Sequence, residues 1–188
     1  MRTNKLLGKV LRLHNVIVAP HADDELIGCF ELLNSDEDCT VALPDTTPEN
    51  RVSETKSVLY AVGKEGAHKN VCKVVNFTRN IEIFCKAQGD NDNSINKQTI
   101  CWFPDPRFER HPEHTLLGQI GLELFRTTMN ESNIVVGFYS INMNAPYVYT
   151  LPELLAKRKK ELCGLYDSQT EYFKQHQESW VFEGRYML

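Results

Sequence analysis

The sequence predicts an α/β sandwich built on a largely parallel sheet. Short β-branched runs alternate with stretches of helical apolar spacing along most of the chain, the pattern of repeated strand–helix units. The chain has 188 residues, enough for one substantial core, and shows no internal repeat or linker, so a single domain over residues 1–188 is expected. Apolar content of 41% and charged content of 24% are ordinary for a globular chain.

The elements follow in order. "NVIVAP" (Asn15–Pro20) is short and β-branched and reads as a buried strand. "DELIGCFELLN" (Asp24–Asn34) has helical spacing with acidic residues at its start. "CTVALP" (Cys39–Pro44) reads as a second strand, and "DTTPEN" (Asp45–Asn50) as a loop of turn and cap residues. "RVSETKSVLYAVGK" (Arg51–Lys64) places Val52, Val58, Leu59 and Val62 on one helical face, with Gly63 as its stop. "VCKVVNF" (Val71–Phe77), "IEIFC" (Ile81–Cys85) and "TICWF" (Thr99–Phe103) read as strands, and the polar "KAQGDNDNSINKQ" (Lys86–Gln98) as a surface loop or lid. "TLLGQIGLELFRTTM" (Thr115–Met129) reads as a helix, "NIVVGFYS" (Asn133–Ser140) as a strand and "YVYT" (Tyr147–Thr150) as a short one. "LPELLAKRKKELCGLY" (Leu151–Tyr166) reads as a helix with Pro152 in its first turn, and one more short helix is expected after Ser168.

Composition excludes several functions. A net charge of −4 leaves no basic stripe for nucleic-acid phosphates, and the one basic cluster, Lys157–Lys160, reads as a solvated helix face. No stretch approaches the roughly 20 apolar residues of a membrane span. The basic first fifteen residues lack the apolar core and cleavage site of a secretory signal. Six scattered cysteines without a C-x-x-C pair read as reduced, mostly buried residues, and the expected compartment is cytoplasmic.

Three of six histidines fall in two polar clusters, "HADDE" (His21–Glu25) and "HPEH" (His111–His114). His14, His68 and His176 stand alone and read as ordinary residues. Each cluster taken alone also reads as a polar helix start, with Asp23 or Asp24 as an N-cap. In parallel sheets, ligands gather at the carboxyl ends of strands, where both clusters are expected. His21 and Asp24, three apart, can converge on one point. With one histidine of "HPEH" they make three ligands and leave a fourth position open, the arrangement of a catalytic zinc site. Asp23 and the other histidine then stand beside it as acid–base groups.

At these residues the chain resembles the PIG-L/LmbE-like zinc-dependent de-N-acetylases. "HADDE" is similar to that family's A-H-P-D-D-E, and "HPEH" to its H-P-D-H. "RVSETKSVLYAVG" and "KKELCGLYDSQ" resemble weaker motifs, so the likeness runs from about Asn15 to Gln169. The resemblance implies a Rossmann-like three-layer fold and removal of an N-acetyl group from an N-acetylglucosamine-type conjugate, a small-molecule substrate. It implies a zinc site of His21, Asp24 and His114, with Asp23 as base and His111 as oxyanion-stabilising acid. It also implies that Arg51 contacts substrate. Such a ligand set accepts other divalent transition metals as well. Glu25 reads as a supporting or capping residue.

The departures are Ala22 for Pro, Glu113 for Asp, Arg110 where an acidic residue is common, and "GCFELL" without paired glycines. Arg110 is expected to bind substrate by favouring an anionic group. Two other functions stay open: an amidohydrolase acting on another small amide, such as a modified nucleotide or antibiotic, and a non-catalytic, metal-stabilised binding module. The spare Asp23 weighs against the last, because a structural zinc site fills all four positions. Nothing in the sequence sets the oligomeric state.

Overall fold

The structure is a computed structural model that describes residues 12–71, 97–128 and 134–188. Eight strands and five helices are described. They begin with β1 (Arg12–Val18), α1 (Asp24–Leu33), β2 (Asp38–Pro44), α2 (Glu49–Ala61) and β3 (His68–Val71). β4 (Lys97–Pro104), α3 (Pro112–Thr128), β5 (Ile134–Tyr139) and β6 (Tyr149–Thr150) follow. The chain closes with α4 (Glu153–Cys163), α5 (Thr170–Gln175), β7 (Phe182–Glu183) and β8 (Arg185–Met187).

Strands β3-β2-β1-β4-β5-β8 form one sheet in that order, parallel except for the antiparallel edge strand β8. β6 and β7 make a separate antiparallel pair. Alternation along each strand divides the core in two. Ile17, Val41, Leu43 and Trp102 pack with α1, α2 and α4 on one face. Val16, Val18, Cys101 and Phe103 pack with Leu117, Ile120 and Leu124 of α3 on the other. This is the expected α/β sandwich, with Trp102 and Phe103 both in the core.

The sheet order decides where a site can form. β1 lies between β2 and β4, so the connections leaving β1 and β4 pass to opposite faces. Their carboxyl ends flank the crevice of a topological switch point. Both helices that start there sit close to neighbouring groups through a glycine. A Cβ on Gly28 would stand 2.2 Å from the Tyr139 ring, and one on Gly118 would stand 2.5 Å from the Pro104 carbonyl oxygen.

α1 is broken at Cys29, whose φ of −135° and ψ of 28° lie off the helix. In an unbroken helix the Glu31 N–H would bond to the Ile27 carbonyl. Here Lys159 Nζ donates to Ile27 O at 2.6 Å and to Phe182 O at 2.7 Å, while Glu31 N donates to the Glu183 carboxylate at 3.0 Å. Two buried charged side chains thus satisfy the groups that the break frees. This corrects the solvated-face reading of Lys157–Lys160: Lys159 is fully buried. Helical spacing places it on the inner face, and only the packing supplies its carbonyl partners.

Other boundaries move slightly. β3 runs from His68 to Val71, and the rest of the strand expected at Val71–Phe77 lies outside the described residues; α3 starts at Pro112, ahead of its apolar run. Pro152 precedes α4 as its cap residue. α2 ends at Ala61, and Gly63, the expected stop, follows the cap residue Val62 with a φ of +75° that suits glycine. The predicted strand at Ile81–Cys85 and most of the Lys86–Gln98 loop lie outside the described residues, as do Cys72 and Cys85. Cys29, Cys39, Cys101 and Cys163 are buried and form no disulfide. Among the described residues, no helix is long and apolar enough to cross a membrane.

Candidate metal centre

The turn between β1 and α1 is held in an unusual backbone. Asp23 has φ of 145° and ψ of −27°, a region that residues with side chains rarely adopt and that costs on the order of 1–3 kcal/mol. The surroundings over-determine it. The Ala22–Asp23 peptide is gripped at both ends: Arg51 Nη2 donates to Ala22 O at 2.6 Å, and Asp23 N donates to Glu25 Oε2 at 3.0 Å. Glu25 is fully buried and accepts further bonds from the Tyr166 hydroxyl and from Thr55 Oγ1. Burial pushes its carboxyl up despite the Tyr166 bond. Glu25 therefore supports the turn, as expected, and Asp23 occupies the N-cap position without making a side-chain cap bond.

Asp24 and His21 do converge. Asp24 Oδ2 accepts from His21 N at 2.9 Å, closing the turn on itself. The same oxygen lies 3.2 Å from His21 Nδ1 and 3.2 Å from His114 Nε2. The two ring nitrogens lie 3.1 Å apart. Three ligand-type atoms thus form a nearly equilateral triangle. Metal–ligand bonds of about 2.0–2.1 Å at tetrahedral angles put donor atoms about 3.3 Å apart, so the triangle matches one face of such a site. Two imidazoles and a carboxylate are also a suitable donor set for a zinc-class ion.

Each imidazole is backed by a carboxylate. His21 Nε2 lies 2.6 Å from Glu113 Oε2, and His114 Nδ1 lies 3.3 Å from Glu109 Oε2. Such partners orient ligating histidines and raise their basicity. His111 stands at the rim, its ring edge-on to His21 at 4.8 Å between centroids and 5.3 Å from His114. Nitrogens of His21, His111 and His114 all lie within 4.8 Å of one another, so this three-imidazole cluster could itself hold a metal ion.

The electrostatics favour a cation at the triangle. Burial opposes charge on His114, but Asp24 and Glu109 outweigh it and push the imidazolium up to about 10. Burial likewise opposes charge on His21, and Asp24 again raises it on balance. Burial would raise Asp24, yet His114 and His21 hold it well below the ordinary carboxylate range. Asp23 moves the other way: burial and the Asp24 charge push it well above that range against the pull of Arg51. Two adjacent carboxylates are therefore driven apart, which is how environments sort a ligand from a base.

The remaining expected residues fall as follows. Arg51 Nη2 donates to Asp23 Oδ1 at 2.9 Å, so its described contacts are with the turn that carries Asp23. Arg110 is exposed and lines a depression of about 510 Å³ that opens beside His111. Tyr172, His176, Asn142 and Met143 line the same depression, and the Tyr172 and His176 rings lie 4.5 Å apart. A separate depression of about 650 Å³, between Lys56–Ala61 and Leu165, holds no residue of "HADDE" or "HPEH".

Glu109, Glu113 as a partner of His21, and Tyr166 escaped the sequence reading. Glu109 and Glu113 were visible as acids near "HPEH", but no spacing rule tells which acid faces which ring. Tyr166 lies within "KKELCGLYDSQ", but nothing in its spacing says that it bonds Glu25.

No family model matches this chain, and no curated protein matches it significantly. Solved structures do. The N,N'-diacetylchitobiose deacetylase of Pyrococcus horikoshii superposes with a TM-score of 0.66 at 16% identity, covering 95% of this chain and 84% of its own. The antimicrobial A40926 pseudoaglycone deacetylase superposes with a TM-score of 0.62 at 14% identity, covering 87% of this chain and 85% of its own. At these identities the likeness establishes the fold, a mixed α/β domain with a mostly parallel sheet.

Proposed function

We propose that this protein is a metal-dependent de-N-acetylase of the PIG-L/LmbE-like type, acting on an N-acetylglucosamine-type conjugate and releasing acetate and a free amine. The observation that carries the reading is the triangle of His21 Nδ1, Asp24 Oδ2 and His114 Nε2, with all edges between 3.1 and 3.2 Å, beside a buried spare carboxylate, Asp23. Two deacetylases of the same fold support the reaction class.

In this reading His21, Asp24 and His114 hold the metal, best matched by zinc. When bound, such an ion supplies Lewis acidity and lowers the pKa of water toward neutrality. Asp23, its proton affinity raised by burial and by Asp24, takes the proton of the attacking water. Arg51 fixes both the Asp23 carboxylate and its peptide, so the base is positioned before substrate arrives. His111, at the rim of the cluster, donates a hydrogen bond to the acetamide oxygen as negative charge develops there. The amine leaves after accepting a proton from one of these two groups. The attached part of the conjugate extends over the depression between Arg110 and Tyr172, where Arg110 favours an anionic group. The buried thiols of Cys29, Cys39 and Cys163 support work in a reducing compartment such as the cytoplasm.

The test is a screen for acetate release from a panel of N-acetylated amino sugars and their conjugates, using metal-loaded protein. Asp23→Ala is expected to retain the metal and lose acetate release by about 10²–10⁴-fold. A loaded protein inactive on the whole panel sinks the reading.

A further inference from the structure

We propose that Glu109 is a positioning residue that sets the tautomer of His114, and so decides which ring nitrogen is offered to the metal. The inference rests on the metal-centre reading above.

Glu109 is the last but one residue before His111, on the loop after β4, and its side chain is 4% exposed. Its two oxygens do different things. Oε1 accepts from Ser140 Oγ at 2.8 Å and from Ile141 N at 3.1 Å, both at the carboxyl end of β5. Oε2 faces His114 Nδ1 at 3.3 Å. That nitrogen is buried and makes no hydrogen bond among the described residues, so the Glu109 carboxylate oxygen at 3.3 Å is the acceptor that faces it. His114 Nε2 faces His21 and Asp24. A neutral imidazole carries its proton on one nitrogen only. An acceptor at Nδ1 keeps the proton there and leaves the lone pair on Nε2, where the metal would sit.

The anchoring also predicts what an amide would do in the same place. The Ile141 N–H can only donate, so in Glu109→Gln the amide oxygen must stay at the Oε1 position. The amide NH₂ then occupies the Oε2 position and donates to His114 Nδ1. This moves the ring proton to Nε2, the nitrogen needed as a ligand. A near-isosteric change thus reverses the tautomer while preserving shape and both anchoring bonds.

The test measures zinc affinity by competition with a chromophoric chelator, together with the visible spectrum of the cobalt-substituted protein. Wild type, Glu109→Gln and Ser140→Ala are compared, with thermal melting of the metal-free proteins as the control for folding. Glu109→Gln is expected to melt like wild type, bind zinc on the order of 10–100-fold more weakly and change the cobalt spectrum. Ser140→Ala keeps the carboxylate with one fewer anchor and loses affinity by a smaller factor. Wild-type zinc affinity in a folded Glu109→Gln protein overturns the proposal, and if that variant does not fold, wild-type affinity in Ser140→Ala overturns it. A wild-type protein that binds no zinc or cobalt overturns the metal-centre reading and this inference together. Binding in wild type with equal binding in Glu109→Gln overturns this inference alone.

Discussion

The two helix starts that build the site are made differently. In the turn after β1, Ala22, Asp23, Asp24 and Glu25 are all buried, and the Ala22–Asp23 peptide is held at both ends by Arg51 and Glu25. In the loop after β4, Arg110, His111, Pro112 and Glu113 are exposed, and only Glu109 and His114 reach inward. The first half resists substitution because its strained backbone depends on several mutually supporting bonds. The second half presents an exposed rim around two fixed side chains, where residues can vary without disturbing the core. Under the proposed function, the contrast places the base on the β1 side and the variable residues on the β4 side, where His111 stands at the rim.

The largest effect that would sharpen this contrast comes from behind the first half. Lys159→Met removes the ammonium that bonds the Ile27 carbonyl at the break in α1 and the Phe182 carbonyl beside it, and leaves Arg185, at 2.9 Å, as the remaining cation on buried Glu183. It is expected to destabilise the protein by about 2–4 kcal/mol, roughly 1–3 kcal/mol for each carbonyl left without a donor, measured by denaturant unfolding. The pH dependence identifies the cause. Burial pulls Lys159 down to about 8 from the ordinary 10.5, so between these values the unfolded chain holds more protons and stability rises with pH. Burial pushes Glu183 up to about 7 from 4.5, so between these values the folded chain holds more protons and stability falls as pH rises. The pair therefore contributes least near pH 7 to 8. In Lys159→Met the rise between pH 8 and 10.5 should disappear from the unfolding curves.

Arg51→Lys tests whether the first half works by positioning. Arg51 Nη2 alone makes both bonds, to Ala22 O and Asp23 Oδ1, and lysine keeps the charge but carries it on a shorter, more flexible stem that does not hold a donor at that point. A misplaced base costs about 10²-fold in kcat, with KM changing little. A rise in KM at constant kcat would instead return Arg51 to the substrate-contacting role that the family resemblance implies.

On the second half, Glu113→Gln removes the carboxylate behind His21. Because Glu113 is exposed, its loss should cost about tenfold in metal affinity, the lower end for such partners, read by chelator competition. A larger loss would erase the distinction between fixed and adaptable halves. Arg110→Ala is expected to have the smallest effect. Stability should stay within about 0.5 kcal/mol, with KM rising only for substrates carrying an anionic group. An equal rise for neutral substrates would remove Arg110 from the selectivity rim.

The motif residues were legible because their chemistry is local. Acids and imidazoles three apart at a strand-to-helix junction can converge whatever the rest of the chain does, and His21 and Asp24 do so. That His114 should join them was legible only from the resemblance of "HPEH", since nothing in its spacing says which of its two rings turns inward. Lys159 was misread for a related reason. A lysine in a basic run reads as solvated, and its partners, the Ile27 and Phe182 carbonyls, come from an irregular helix and a distant strand.

By itself, then, the sequence determined the α/β alternation, the helix ends such as Gly63, and the two polar clusters at strand ends. These depend on propensity, periodicity and short-range geometry. Only the tertiary structure decided that the two clusters flank one crevice, that Arg51 grips the Asp23 turn, and that Glu109 rather than Glu113 backs His114. The first two relations join segments about 30 to 90 residues apart, the third is local, and all follow from strand order and from the need to partner each buried charge.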